Sequence, residues 1–535
     1  MLRSSLPQHL CALLEPRAYP HPVGEVQLIE THISWVLLAG DFAYKVKRPV
    51  RYAFIDLRDP ERRKFLCEEE LRLNRRFAPE LYLEVSRITS DDGRARIGGE
   101  GPVVEYAVRM RRFDCGDALD RLLAHLQVGH EELEAFGRQL ANIHAGLPAA
   151  PIGSAWGRPA AIQALVARNL DECAEATRVF GTEDAVSSLR SPLQESLSLA
   201  TQTMAARRAS GRIRECHGDL HSRNVVRLGT RLVPFDCLEY EPAFRWIDVA
   251  DEVAFLASDL CARERPLHAH AFVSGYLAES GDYNACRLLR LYEAHRALVR
   301  AKVAALSAKD SSGHSELEEL REEHGKLVTL ASRRLVRKAP TLLLVCGLSG
   351  SGKTWLARQL AERLFAVHVR SDVERKRRVG LHALARSRSS VAEGLYSSGA
   401  SAQVYDDLAR AAEDILSGGF TAIIDATFLR REQRTRFAQL GSRLGAVVRL
   451  IYCEAPVHTL RARIAARAAS GTDPSEADEP VLDWQLSHFE LPRSEEPVES
   501  IRVETAELGA LEKVLHAIRE ALIGARTASD TSSIG

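Results

Sequence analysis

Hydrophobic and polar positions change rhythm twice along this chain. From Glu25 to Lys47, the runs Glu25-Val-Gln-Leu-Ile-Glu30, Trp35-Val-Leu-Leu38 and Phe42-Ala-Tyr-Lys-Val-Lys47 have the two-residue period of antiparallel strands, with a turn at Ala39-Gly40-Asp41. Asp59-Pro60-Glu61 then supplies an N-cap, a proline at the first helical position and an acidic first turn. This predicts a helix that Pro79 closes, with Leu66, Glu70, Leu73 and Phe77 on its buried stripe. Ala, Leu and Glu at helical spacing dominate about residues 129–208, and 248–306 read likewise. The charged stretch from Ser315, ending in Arg333-Arg-Leu-Val-Arg-Lys338 before Pro340, predicts a linking helix over 313–339.

After Pro340 the texture becomes strands alternating with helices. Strands are predicted at 342–346, 367–369, 422–424, 447–452 and 501–503, a rhythm that implies a parallel α/β sheet. Residues 526–535 read as a disordered tail. The expected organisation is an α+β domain over 1–312, a linking helix over 313–339 and an α/β domain over 340–525.

Length fits that division, since 535 residues exceed what one hydrophobic core supports. A hydrophobic share of 45% and a charged share of 27% exclude a disordered or fibrous chain. Lys+Arg and Asp+Glu balance at 72 each, so no global basic field collects nucleic acid. The ten cysteines form no C-x-x-C pair and no zinc-type cluster, which predicts reduced thiols. No apolar run reaches bilayer-spanning length, so the expected location is cytoplasmic, with no membrane partner.

Two motifs carry chemistry. Gly347-Leu-Ser-Gly-Ser-Gly-Lys353-Thr354 fits G-x-x-x-x-G-K-[ST], and it lies between a predicted strand and a predicted helix. Gly347, Gly350 and Gly352 let the backbone N–H groups around Ser351 turn inward on phosphate oxygens. Lys353 is expected at the β- and γ-phosphates, and Thr354 at Mg²⁺. This half, over 340–525, resembles the small P-loop kinases that include gluconate, adenylylsulfate and polynucleotide 5′-kinases. The resemblance casts Asp372, in Val369-Arg-Ser-Asp372-Val-Glu-Arg375, as the base for the acceptor hydroxyl, and Arg375 as a clamp on an acidic acceptor or a phosphate. Asp425, closing the third strand, is placed to hold the magnesium shell through water. Arg463 and Arg467, before the lid-like 470–477 stretch, fall four apart on one helical face and are expected at the transferring phosphoryl.

The second motif is His217-Gly-Asp219-Leu-His221-Ser-Arg-Asn224, followed twelve residues later by Asp236 at the end of an apolar run. Asp219 is expected to orient or deprotonate the acceptor hydroxyl, with Asn224 and Asp236 holding Mg²⁺. Lys45 follows the logic of a phosphate-contacting strand lysine, with Glu70 as its helix partner and Lys47, on the same strand face, as the fallback. The loop resembles H-G-D-L-H-x-x-N of aminoglycoside phosphotransferases and of choline or homoserine kinases, over about residues 23–303. That resemblance implies a bilobal, protein-kinase-like fold and a small-molecule alcohol as acceptor. It leaves His217 and His221 as scaffold histidines, and Asp248 as a brace for the catalytic loop.

As a whole the chain resembles fusions of an aminoglycoside phosphotransferase-like domain with a P-loop ATP-binding domain. The implied activity is that of an ATP-dependent kinase with two ATP and Mg²⁺ sites and small-molecule hydroxyl acceptors. Two alternatives stay open for the second half. One is an ATP-binding regulatory switch; the other is a nucleic-acid end kinase aided by Arg461, Arg463 and Arg467.

Overall fold

The computed structural model describes residues 6–52, 55–91, 93–311, 313–337, 339–385, 398–470, 473–507 and 509–532. Contacts divide the chain into two compact units, Met1–Leu165 with Met204–Arg265 and Val166–Thr203 with Pro266–Gly535.

In the first unit the expected strands form as Val26–Glu30, Ser34–Ala39 and Phe42–Lys47. They continue into a six-stranded antiparallel sheet with Val103–Arg111, Tyr82–Asp91 and Arg94–Ile97, in that spatial order. Alternation assigns the faces. Trp35, Leu37, Tyr44 and Val46 enter a core closed by Leu10 and Leu13 of the helix Gln8–Leu13. Lys45 and Lys47 are out of phase with Tyr44 and Val46, so they turn to the other face, where the helix Pro60–Asn74 lies. That helix starts as its sequence dictates: Asp59 accepts from the Glu61 N–H at 3.2 Å, and Pro60 follows. Leu66, Glu70 and Leu73 are buried on it, and Phe77 is buried in the turn beyond.

The rest of the first unit is helical apart from small two-stranded pieces. The hairpin Val225–Leu228 with Arg231–Pro234, and the pair Ile213–Glu215 with Trp246–Asp248, frame the motif loop. The helices His130–Gly146 and Val249–Ala262 stand behind it.

The second unit holds a five-stranded parallel sheet in the order Val367–Arg370, Ala422–Asp425, Thr341–Cys346, Val447–Glu454, Ser500–Glu504. Thr341–Cys346 is buried at every position, as a central strand covered on both faces must be. Helices Lys353–Leu364 and Ala510–Ser532 cover one face through Leu356, Leu360, Val514 and Ile518. The terminal helix runs to Ser532, so the tail expected from 526 is helical over its described part: each residue added to an existing helix gains a hydrogen bond without a new nucleation cost.

The helices from Pro266 to Asp310 belong to this unit too. His270 Nε2 lies 3.0 Å from the Ala366 carbonyl, Arg287 pairs with Asp414 at 2.5 Å, and Gly418 approaches the Cys286 carbonyl so closely that a Cβ there would lie 2.2 Å from it. Cys286–Asp310 packs antiparallel to His314–Leu335. The linking segment is therefore helical, with His324, Leu327, Ala331 and Leu335 buried. None of the ten cysteines is in a disulfide. Among the described residues, no helix is long and apolar enough to cross a membrane.

His295, buried in Cys286–Asp310, has an Nδ1 without a hydrogen-bond partner among the described residues. Burial, helped by Arg296 and Lys302, pushes its imidazole down to about 3 from the usual 6.5. The unfolded chain therefore takes up a proton near pH 6.5 that the folded chain refuses until near pH 3. Stability falls with pH across that window, by up to about 1.4 kcal/mol per pH unit from this one group. Urea unfolding of His295→Leu at pH 7.5 and 5.5 is expected to show a smaller loss on acidification than the parent; an equal loss would contradict the assignment.

Candidate active sites

The first site is assembled around two lysines of one strand. Lys45 Nζ donates to Glu70 Oε1 at 2.8 Å and to Asp236 Oδ1 at 2.5 Å. Lys47, fully buried, pairs instead with the other oxygen of Glu70 and with Glu239. Lys45 is thus the lysine that meets the motif loop, and Lys47 is a buried tie behind it. Burial alone would lower the Lys45 ammonium; Asp236, Glu70 and Glu239 outweigh it and hold the pKa well above the ordinary value. Burial likewise pushes the Asp236 carboxyl up, and Lys45 with Lys47 brings it below its usual range.

Asp236 has a positive φ of 65°, a strained conformation for a non-glycine residue. It is held there by its neighbours. Its N–H donates to Tyr82 Oη at 3.0 Å, the next N–H, of Cys237, donates to Asn74 Oδ1 at 2.9 Å, and the Leu238 N–H reaches the His217 carbonyl. The Phe235 N–H meets the Asn224 carbonyl at 2.9 Å, which draws the two halves of the motif together.

Asn224 Nδ2 donates to the backbone oxygen of Asp219 at 3.0 Å and to its Oδ2 at 3.1 Å. The amide oxygen is what Asn224 has left to offer a cation, beside the half-exposed carboxylate of Asp236. These are hard oxygen donors of the kind Mg²⁺ takes. His217 donates through Nε2 to the Phe235 carbonyl at 2.8 Å and accepts the Asp219 N–H at Nδ1 at 3.4 Å. Burial keeps it neutral by lowering its pKa, so it ties the two loops together. His221 Nε2 lies 3.5 Å from Asp219 Oδ2, with its ring edge-on to Phe255.

Asp248 does not brace the loop directly. Standing at the N-cap of Val249–Ala262, it is drawn to the Ala250 N–H at 2.9 Å and to Arg207 at 2.7 and 2.8 Å. The bracing comes from Glu252 and Asp259 on the same helix. Glu252 accepts the N–H groups of His217 and Gly218 at 3.1 and 2.8 Å and contacts His144 Nε2 at 3.0 Å; Asp259 accepts the Ser222 N–H at 3.0 Å. Burial would raise the Glu252 carboxyl, but the hydrogen bond and charge of His144 and the Gly218 N–H hold it below the ordinary value. Sequence reasoning passed over both acids, although two carboxylates seven apart in an apolar helix share one face.

The second site lies where the parallel strands end. Gly347, Gly350 and Gly352 have φ of 142°, 81° and 83°. A Cβ at Gly350 would stand 2.6 Å from the Leu460 carbonyl, and one at Gly347 2.3 Å from that of Cys453, so only glycine fits either place. Lys353 Nζ folds back on the Leu348 carbonyl at 2.9 Å. Ser351 is buried, with an Oγ that has no hydrogen-bond partner among the described residues.

Thr354 Oγ1 donates to Asp425 Oδ2 at 2.7 Å, and His368 Nε2 lies 3.3 Å from that same oxygen. Burial would raise the Asp425 carboxyl; the His368 contact, Arg370 and Lys353 outweigh it and bring the pKa down to about 2. The hydroxyl and the carboxylate together form a hard-oxygen pair that suits Mg²⁺.

A cavity of about 870 Å³ adjoins the loop, lined by Lys353, Thr354, Asp372, Arg375, Asp425 and Arg467 among others. Asp372 sits on the short helix Ser371–Arg377, and its carboxylate makes no hydrogen bond or ion pair among the described residues. Arg467 lines the cavity and donates to the Ala477 carbonyl at 2.7 Å. Arg463 does not share that wall. One helical turn brings i and i+4 near each other but not into register, and Arg463 is drawn to the Gly350 carbonyl at 3.2 Å and Thr505 Oγ1 at 2.9 Å, where it supports the loop from outside. Arg461 is taken up by Glu479 and Asp483 at 3.2 and 2.6 Å.

Residues 43–289 match the model of a phosphotransferase enzyme family, and residues 342–492 match that of an AAA domain. The chain is a fusion of these two domain types. An uncharacterized protein of Mycobacterium tuberculosis is 29% identical to the fusion over 476 residues, which cover 88% of this chain and 93% of the relative. Among solved structures, a choline kinase from Cryptosporidium parvum is 11% identical, covering 61% of this chain and 95% of its own, at a TM-score of 0.37. A gluconokinase from Sinorhizobium meliloti is 17% identical, covering 37% and 98%, at a TM-score of 0.25. The phosphotransferase segment runs past Arg265, so its last helices fold with the AAA-type segment.

Glu252→Ala is expected to leave two loop N–H groups and the His144 ring without their acceptor, at a cost of about 3 kcal/mol. Denaturant unfolding followed by a probe in the first unit measures it; a loss below the error of the method would show that the loop holds itself.

Proposed function

We propose that this protein is an ATP-dependent phosphotransferase with two ATP sites, each passing the γ-phosphoryl group to a hydroxyl of a small molecule. One observation carries the reading: Lys45 joins Glu70 of the helix to Asp236 of the loop, gathering a phosphate-contacting cation and a metal-binding acid within one hydrogen bond of each other. In the first site Lys45 contacts the ATP phosphates, Asn224 and Asp236 hold Mg²⁺, and Asp219 receives the acceptor's hydroxyl proton. In the second, the N–H groups around Gly350, Ser351 and Gly352 cradle the phosphates, and Lys353 leaves the Leu348 carbonyl to meet them. Thr354 and Asp425 hold Mg²⁺ there, Arg467 approaches from the lid side, and Asp372 is the base.

The step is the same in both. The hydroxyl oxygen bonds to the γ-phosphorus, the bond from that phosphorus to the β,γ-bridging oxygen breaks, ADP leaves, and the hydroxyl proton passes to Asp219 or Asp372. Magnesium, when bound, neutralises phosphate charge; the chain's own part is positioning and dipoles aimed at the transferring group.

A second reading makes the AAA-type half an ATP-driven switch for the first site. It is favoured by Tyr283, which lies inside the phosphotransferase segment and donates to Glu374 at 2.9 Å on the helix that carries Asp372.

Labelled ATP offered with small alcohols, sugars, nucleosides and aminoglycosides separates the readings. Asp219→Ala is expected to abolish one set of labelled products and Lys353→Ala another, and calorimetry is expected to show Lys353→Ala losing one of two nucleotide equivalents. If Lys353→Ala removes no product of its own but changes the rate at the first site, the switch reading holds instead. Loss of both product sets from Asp219→Ala alone would refute independent sites.

A further inference from the structure

A side chain from the helix Glu479–His488, which follows the 470–477 stretch, reaches the phosphate loop. This helix begins at Asp478, whose carboxylate accepts the Val481 N–H at 3.1 Å, with Pro480 in its first turn. Leu482, fully buried, seats it on Leu460, Ile464 and Leu348, the last of which belongs to the loop itself. Gln485 follows Leu482 by three positions and shares its face. There its Oε1 accepts the N–H of Ser349 at 2.9 Å.

That bond decides which way the carboxamide points. A backbone N–H can only donate, so the oxygen faces Ser349, and the Nε2 group with its two N–H donors is turned elsewhere. Gln485 is 6% exposed and lines the cavity beside the loop, and its Nε2 has no hydrogen-bond partner among the described residues. A tie between helix and loop needs the amide oxygen alone. The nitrogen is a nearly buried donor, which is costly to keep unless a ligand supplies the acceptor.

What else lines the cavity says which ligand that is. Of the loop, Ser349, Lys353 and Thr354 open onto it, and so does Asp372 from the helix Ser371–Arg377. In the kinase reading Lys353 and Thr354 mark the terminal phosphates and their magnesium, and Asp372 marks the acceptor hydroxyl. The γ-phosphoryl group passes between those marks, so it lies inside this cavity during transfer. Its oxygens carry charge and accept hydrogen bonds, and a donor fixed beforehand against the loop meets them without reorganising.

We propose that Gln485 is a further catalytic residue of the second site: Oε1 holds the loop through Ser349 while Nε2 donates to an oxygen of the γ-phosphoryl group, so that the site tells ATP from ADP. The inference rests on the kinase reading of that site. Gln485 exchanges no atom in the step. The acceptor oxygen bonds to the γ-phosphorus, the bond from that phosphorus to the bridging oxygen breaks, ADP leaves, and Asp372 takes the hydroxyl proton.

The test is calorimetry on the full chain with Mg²⁺ and, in separate titrations, a non-hydrolysable ATP analogue and ADP. The equivalent that Lys353→Ala loses defines the second site. Two variants then separate the two amide atoms: Gln485→Glu keeps an oxygen for Ser349 and removes the donor, and Gln485→Met removes both at similar volume. Each is expected to weaken the analogue at the second site at least about tenfold, the worth of one hydrogen bond to a charged group, and to weaken ADP by less. Should Gln485→Met fail to fold, Gln485→Glu decides alone. The proposal is overturned if Gln485→Glu binds the analogue as the parent does, which leaves Gln485 a structural tie, or if analogue and ADP weaken equally, which makes it a shaper of the loop. Lys353→Ala binding as many equivalents as the parent sinks the kinase reading itself, whereas an equivalent lost there with Gln485→Glu unaffected sinks the Gln485 assignment alone.

Discussion

An ammonium group taken out of water costs several kcal/mol unless it is paired, and the first unit buries two of them side by side on one strand. Lys45 and Lys47 are tolerable only while Glu70, Asp236 and Glu239 surround them. These acids come from a helix and from a loop some 191 residues further along the chain than Lys45. The pairing therefore fixes three things at once: the register of the lysine strand, the rotation of Pro60–Asn74 and the closure of the motif loop. A one-residue slip of the strand would turn both charges into the apolar face occupied by Tyr44 and Val46.

The second unit solves its own problem differently. Its phosphate loop buries no long side chain; it relies on backbone conformations open only to glycine, hemmed in by carbonyls of Cys453 and Leu460. One site is held by charge pairing across the sequence and the other by local backbone geometry. This difference explains why their outlines were unequally visible beforehand.

The phosphate loop, the strand before it and the helix after it were legible because glycine spacing and apolar runs act within a few residues. So was Pro60–Asn74, whose cap, proline and acidic turn are contiguous. The Lys45–Glu70–Asp236 constellation was legible only through motif resemblance. What stayed hidden depended on partners distant in sequence. Glu252 and Asp259 brace a loop more than thirty residues upstream, Arg463 answers a carbonyl 113 residues away, and the helices after Pro266 belong with the P-loop core. Helical periodicity shows that a face is buried, not which surface buries it.

The interleaving of the two units bears on how the chain is made. Thr182 meets His324, 142 positions further along the chain, and the Phe180 ring lies tilted against that same ring at 5.1 Å, so Val166–Thr203 leaves the ribosome long before the rest of its own unit. At about 5–20 residues per second, roughly 7–28 s pass before that partner is synthesised. During that interval the apolar side chains Val166, Leu170, Leu193 and Leu197, buried in the finished molecule, lack the unit to which they belong. Biogenesis of this fusion thus includes a stage in which an early segment waits for a late one, a demand that two domains strung end to end would never impose.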